Sequence, residues 1–495
     1  MSLKLRYFSM PTLMSLHLHI AQSRFLLIVR RAVTGSKLYL HCMKQIAIAT
    51  FLLFLALQAS AQFSDQYNDQ WNDPGVQQRI TDGIRENRMG TFTVRFTDKS
   101  GKSITPGEVA LTQTRHDFYF GSNGFMVKGF KNPKEDALFE EHFTKLFNFV
   151  TVPFYWRELE PEPGKLRFGK DSEFMYRRPA PDVVLEFCRK YNLTPKGHTL
   201  VWDSPRASLP TWLPQDEKIM DQKISKRIEQ IGQRYGHEIQ IWDVINEVTD
   251  RHPEILMPKD YAFKALRDSE RLFPNSNVFT VNFSQIWKRS VKREYSADYL
   301  FLENLRLRNA KVNAIGMQFH NFNEIEYEQI MKGKDFAPKM LFDALDLYSD
   351  FNLPIHITEI TVAALTEKGP EYQAVMTENY YKLWFSHPNV EAIIWWNLVD
   401  GTAYRPDVNV ASGEDKWNGG LLNRDFTKKP VYHVLDRLIN KEWRTNLTVS
   451  PKNNAVSFRG FYGTYKLVTQ VNGKKYEKEI QCPKSGTREI VVALN

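Results

Sequence analysis

Cysteine is scarce, with three in 495 residues. That excludes a disulfide scaffold and leaves no zinc-like cluster, so neither metal nor redox cofactor is expected. Acidic residues are missing from positions 1–61, which hold Lys4, Arg6, Arg24, Arg30, Arg31, Lys37 and Lys44. Setting those seven bases aside leaves 59 basic against 57 acidic residues, so the net charge of +9 falls to +2. The basicity belongs to the leader, and a nucleic-acid partner loses its main support. A phosphate-binding loop is also missing. Gly101-Lys102-Ser103 ends like one, but Phe96 stands where the motif needs glycine, so a turn is the better reading.

What is present begins with a targeting signal. Met43-Lys44 opens a charged start, Ile46–Leu57 is apolar apart from Thr50, and Ala59-Ser60-Ala61 supplies small residues. This is the pattern of a secretory signal peptide over 43–61, within a leader of 1–61. The apolar run is about a dozen residues, short of the roughly 20 that span a bilayer. The mature protein is expected to be secreted or periplasmic, free of the membrane and monomeric.

Residues 62–77 are polar and rich in Asn, Asp and Gln, which predicts a linker. Residues 78–116 show alternation, as in Thr91–Phe96, and read as an N-terminal β-segment. From 117 to 441 short β-like runs alternate with amphipathic helical stretches. The runs are Phe118–Gly121, Phe147–Val152, Pro195–Trp202, Ile239–Asn246, Val278–Phe283, Ala314–Phe319, Ile355–Ile360 and Ala392–Leu398. Eight strands separated by helices predict an α/β fold, a (β/α)8 barrel. A doubly wound open sheet competes, but no Gly-rich loop follows an early strand. Residues 442–495 return to short strands with turns at Asn472-Gly473 and Ser485-Gly486, and predict a small β-module.

Barrels place their chemistry at the C-terminal ends of strands. The fourth run ends Trp242-Asp243-Val244-Ile245-Asn246-Glu247 and the seventh ends His356-Ile357-Thr358-Glu359. A single Glu at a strand end is more often a rim charge. Two facing carboxylates with aromatic neighbours are what glycoside hydrolysis requires, one protonated to donate and one ionised to attack. Strict alternation would send Asn246 and Glu247 to opposite faces, so a bulge or strand end must re-aim one of them.

At these residues the chain resembles glycoside hydrolase family 10, the retaining endo-β-1,4-xylanases, over about 115–440. The resemblance implies Glu247 as general acid/base and Glu359 as nucleophile. Gly197-His198-Thr199-Leu200-Val201-Trp202 matches the third-strand motif and implies that His198 and Trp202 bind substrate. Gly316-Met317-Gln318-Phe319-His320 matches the sixth-strand motif, with Gln318 beside the sugar and His320 bonded to the nucleophile. Asn246 implies a contact to a sugar 2-hydroxyl. Trp396 and Tyr404 stand at the positions of the family's stacking tryptophans, and His356 is left to the core.

Several positions depart from the family. Its polar Glu-Asn-x-Met-Lys-Trp stretch after strand two, which holds distal glycone sugars, is here Thr151-Val152-Pro153-Phe154-Tyr155-Trp156. That segment offers apolar faces and one phenol but no charged hook, so a weak grip on the next sugar is expected. Asp203 replaces a second His, and Thr361 replaces an Asp that would support His320. The expected activity is cleavage of β-1,4-xylan or a related plant-wall polysaccharide. The alternatives are another β-glycan or decorated oligosaccharide on the same machinery, and a sugar-binding protein without turnover.

Overall fold

The computed structural model describes residues 63–494 apart from 251–254, 256 and 404–412. The signal peptide assigned to 43–61 and the candidate Tyr404 lie outside the described residues. The stretch assigned to a linker is instead helical. Ser64 caps α1 (Asp65–Trp71) by accepting from the Tyr67 amide, and Asp73 caps α2 (Pro74–Arg88) with proline in its first turn. The polar residues that suggested a linker are thus partly caps. Tyr67 and Trp71, four apart on one face, are buried, and Trp71 meets Tyr380 at 5.7 Å between ring centroids. Helix α2 also takes residues 78–88 from the expected β-segment. It ends at buried Arg88, which donates to the Phe385 carbonyl at 2.5 Å, to Val390 at 2.8 Å and to His387.

Two strands follow, β1 (Met89–Thr97) and β2 (Val109–His116), and then the barrel. Its strands are β3 (Tyr119–Asn123), β4 (Phe149–Pro153), β5 (Thr194–Trp202), β6 (Ile241–Asn246), β7 (Val278–Phe283), β8 (Ala314–His320), β9 (Ile355–Thr361) and β10 (Val390–Trp395). They close in sequence order, β10 pairing with β3. All are parallel, and a helix follows each. These helices are α3 (Pro133–Leu146), α4 (Pro181–Tyr191), α5 (Glu217–Tyr235), α6 (Tyr261–Leu272), α7 (Ala297–Leu307), α8 (Pro338–Ser349), α9 (Gly369–Ser386) and α10 (Pro430–Arg437). The strands are apolar runs because sheet-inside-helices burial covers both faces. The chain is therefore a (β/α)8 barrel, as the alternation predicts.

The remaining strands are β11 (Asn446–Val449), β12 (Ala455–Phe461), β13 (Gly463–Val471), β14 (Lys474–Cys482) and β15 (Glu489–Ala493). They do not stand apart from the N-terminal strands. β1 lies between β12 and β15, and β2 lies between β11 and β13, so two sheets form across a sequence gap of more than 300 residues. Their inner faces share one core that includes Phe92, Val94, Phe96, Leu111, Phe458, Tyr465 and Leu467. The two β-segments read separately from sequence are halves of one sandwich. Local alternation marks each strand's buried face but not its partner. Trp443 joins this end to the barrel, stacked on Phe385 at 4.1 Å.

A chain ending at Glu442 would leave β1 and β2 without any of their sandwich partners, exposing Phe92, Val94 and Phe96. It is expected to aggregate or to melt well below the full chain. Phe92, fully buried, should cost about 3–5 kcal/mol when changed to Ala, read by denaturant unfolding. An unchanged melting temperature in the truncated chain would mean that the sandwich contributes nothing to the barrel.

Candidate active site

The barrel's C-terminal rim opens into a cavity of about 500 Å³. His198, Trp202, Asn246, Glu247, Gln318, His320, Glu359 and Trp396 all line it. Two of the glycines beside them are required by packing. A Cβ on Gly197 would lie 2.1 Å from the Trp242 ring, and one on Gly316 would lie 2.5 Å from Asn282 Oδ1.

Glu247 follows β6 directly and adopts φ = +54°, a left-handed conformation uncommon for a residue with a side chain. The pairing of β6 with β7 also slips between Asp243 and Ile245. Together these re-aim the strand end, so that Asn246 and Glu247 face the same cavity. The Glu247 amide donates to the Asn282 carbonyl at 2.8 Å, and its Oε1 accepts from Gln318 Nε2 at 2.9 Å. Burial first, and the nearby Glu359 charge second, push its carboxyl up to about 8.

Glu359 is 5% exposed within β9. Its Oε1 accepts from Asn282 Nδ2 at 2.9 Å and its Oε2 from His320 Nε2 at 3.1 Å. His198 Nε2 stands 3.9 Å from Oε1. His320 Nδ1 lies 3.0 Å from the Thr361 hydroxyl. Threonine at the position of the family's Asp therefore still holds the ring, with a hydroxyl in place of an anion.

Three side chains that the sequence reading left aside carry the frame. Asn282, fully buried on β7, donates to Asn246 Oδ1 at 2.8 Å as well as to Glu359, and accepts from Thr358 at 2.5 Å. The visible signal was an amide within the apolar run Val278–Phe283. Below the cavity Lys196 and Asp243, each 1% exposed, pair at 2.8 Å, and the second Asp243 oxygen accepts from His198 Nδ1 at 2.8 Å. Burial opposes ionisation of Asp243, but Lys196 and His198 outweigh it and hold the carboxyl below its usual range. His356, buried nearby, is pushed down to about 3 by burial and stays neutral core.

Trp396 is 4% exposed and packs among Phe125, His198 and His320, while Trp202 is half-buried beside Tyr155. Asp203 accepts from the Tyr261 hydroxyl at 3.1 Å. The segment 151–156 carries no charged hook of its own, but charge reaches the strand-two end from elsewhere. Arg178, from the long connection after β4, lies on the Tyr155 ring with its guanidinium carbon 3.6 Å from the centroid. Arg177 precedes it, and both line the cavity with Glu414. The segment 151–156 is 22 residues away in sequence, which is why the substitution went unseen. Among the described residues no group of three or more His, Cys, Asp or Glu could hold a metal ion.

A parallel barrel whose rim pairs one proton-retaining carboxyl with one hydrogen-bonded carboxylate defines the class of two-acid barrel proteins. The family model for glycosyl hydrolase family 10 matches residues 115–437, and the chain belongs to that family. Curated relatives include the anti-sigma-I factor RsgI6 of Acetivibrio thermocellus, 26% identical over 85% of this chain and 50% of its own length. Endo-1,4-beta-xylanase 2 of Arabidopsis thaliana is 22% identical over 79% of this chain and 33% of its own. The chain thus spans half or less of the length of these relatives. The xylanase 10B structure from Thermotoga petrophila, in complex with xylobiose, superposes with a TM-score of 0.52 at 20% identity, covering 66% of this chain and 95% of that one. At that identity it shows the shared fold.

Because Glu247 keeps its proton to about pH 8 when folded and to about 4.5 when unfolded, folded stability from this group is fully present below about pH 4.5. It is lost as pH rises through about 8. Glu247→Gln should therefore melt higher than the wild type, with the gap widening from about pH 4.5 to about pH 8 and constant above. A gap independent of pH would contradict the raised carboxyl.

Proposed function

We propose that this chain is a retaining glycoside hydrolase acting on β-1,4-xylan or a related plant-wall polysaccharide. The observation that carries it is the contrast between two carboxyl groups in one cleft: Glu247, pushed up to about 8, and Glu359, held by Asn282 and His320. One is suited to give a proton at neutral pH and the other to attack. The xylanase relatives and the xylobiose complex support xylan as the substrate class.

In the first step Glu359 attacks the anomeric carbon while the Glu247 proton passes to the departing glycosidic oxygen. A glycosyl ester on Glu359 results, and the aglycone leaves as an alcohol. In the second, Glu247, now ionised, takes a proton from water as that water attacks the same carbon, and Glu359 is released. The Asn282 and His320 donors fix the attacking oxygens. Asn246, whose Oδ1 is occupied by Asn282 and Gln318, also donates from its amide to Glu247, and the second N–H is placed for a sugar 2-hydroxyl. We also propose that residues 43–61 direct the chain out of the cytoplasm, where such polysaccharides are met.

One relative is named as an anti-sigma-I factor and not as a hydrolase, and a second reading is a cleft that binds a glycan without turning it over. Two substitutions separate the readings and test the roles. Glu359→Ala should abolish turnover of every aryl xyloside and xylan, by more than about 10³-fold, since no ester can form. Glu247→Ala should lower xylan hydrolysis about 10²–10⁴-fold yet spare the first step on substrates with good leaving groups. Equal losses on activated and unactivated substrates would overturn the acid/base role, and no turnover by the wild type would favour the binding reading.

A further inference from the structure

The strand-two end of the cleft holds hydrogen-bond donors that the protein does not use. Arg178 is 8% exposed, its face covered by Tyr155, and its Nη1 donates only to the Arg177 carbonyl at 3.0 Å. Its Nε has only a loose contact to Glu158 Oε2 at 3.6 Å and no hydrogen bond among the described residues, and the indole N–H of Trp202 has no hydrogen bond either. Both side chains line the same cavity as the two catalytic carboxyl groups. Buried donors left unpaired are costly, and a cluster of them at a cleft is explained by a ligand that brings acceptors.

Charge decides which ligand. Arg178 has Glu158 at 3.6 Å, Arg177 has Glu414 at 3.9 Å, and Lys288 across the cleft pairs with Glu326. Each cation in the lining already faces an anion, so the site carries no surplus positive charge for an acidic group. Glu414 and Glu359 would repel a uronate placed between them. Hydroxyl groups suit this arrangement, because they accept from guanidinium and donate to carboxylate at once. The half-buried Trp202 adds apolar surface for the sugar's carbon faces.

We infer that Arg178 is a specificity-determining residue that takes the hydroxyl pair of an uncharged sugar one place beyond the sugar being cleaved. It replaces the polar stretch missing from 151–156 by a side chain from the far end of the following loop. This rests on the proposed xylan-like substrate, since it places a second glycone sugar at the strand-two end. A planar guanidinium stacked on an aromatic ring presents its edge donors in fixed directions, which a lysine ammonium does not.

The test compares kcat/KM for an aryl β-xylobioside and an aryl β-xyloside in the wild type, Arg178→Met and Arg178→Lys. The ratio of the two constants is the readout, because partial misfolding scales both alike. The wild type should prefer the xylobioside by at least about tenfold. Arg178→Met should lower that ratio by roughly ten- to a hundredfold, and Arg178→Lys should recover only part of it. An unchanged ratio in Arg178→Met overturns the role of Arg178. Faster turnover of a xylobioside bearing a uronic acid on its second sugar overturns the uncharged ligand. No turnover of either glycoside by the wild type overturns the proposed hydrolase, and the subsite with it.

Discussion

The Asn282 carboxamide is the contact on which the active-site geometry depends. Its Nδ2 reaches the side chains of Asn246 and Glu359, its Oδ1 accepts from Thr358, and its backbone carbonyl accepts from the Glu247 amide. One residue on β7 therefore sets the positions of the ends of β6 and β9. Full burial makes this bridge stiff, because any displacement would leave an amide or a carboxylate unpaired in a dry environment. Glycine at 316 is the complementary constraint, since a side chain there would strike the same amide.

Electrostatic contrast follows from how each carboxyl is solvated by protein. Glu247 is bonded by Gln318 and Asn246, but burial and the facing charge of Glu359 outweigh them, and it keeps its proton. Glu359 receives two donors, with His198 a little farther away. The imidazoles are themselves held, His320 by Thr361 and His198 by Asp243, which Lys196 neutralises from below. A buried ion pair of this kind is weak evidence for stability. Its consequence here is orientation, since it turns His198 Nε2 toward Glu359 Oε1, 3.9 Å away.

The catalytic end and the sandwich end of the barrel follow different rules. At the rim, polar groups from non-adjacent strands converge because parallel strands all end on one face. Elsewhere the chain closes on itself. Helix α2 and its Arg88 bind the backbone after α9, and β1 and β2 find their partners more than 300 residues later. The sandwich pairs strands that precede the barrel with strands that follow it.

Much of the barrel was legible in the residues. Each predicted strand lies within about three residues of an observed one, because fully buried parallel strands read as unbroken apolar runs bounded by turns. The two carboxylates were visible as acids at the ends of such runs, whereas His198, Gln318 and His320 were implied by the family resemblance. The caps at Ser64 and Asp73 hid two helices, since cap residues share the composition of loops. Sequence by itself determined the strand count, the closure into alternating β and α units, and which strand ends carry acids, all of which follow from local periodicity. Tertiary structure alone decided that Asn282 bridges the two acids, that Arg178 serves the strand-two end, and that two distant β-segments are one sandwich. Each of these is a contact between residues far apart in the chain, and local pattern records which face a residue turns inward but not what it meets there.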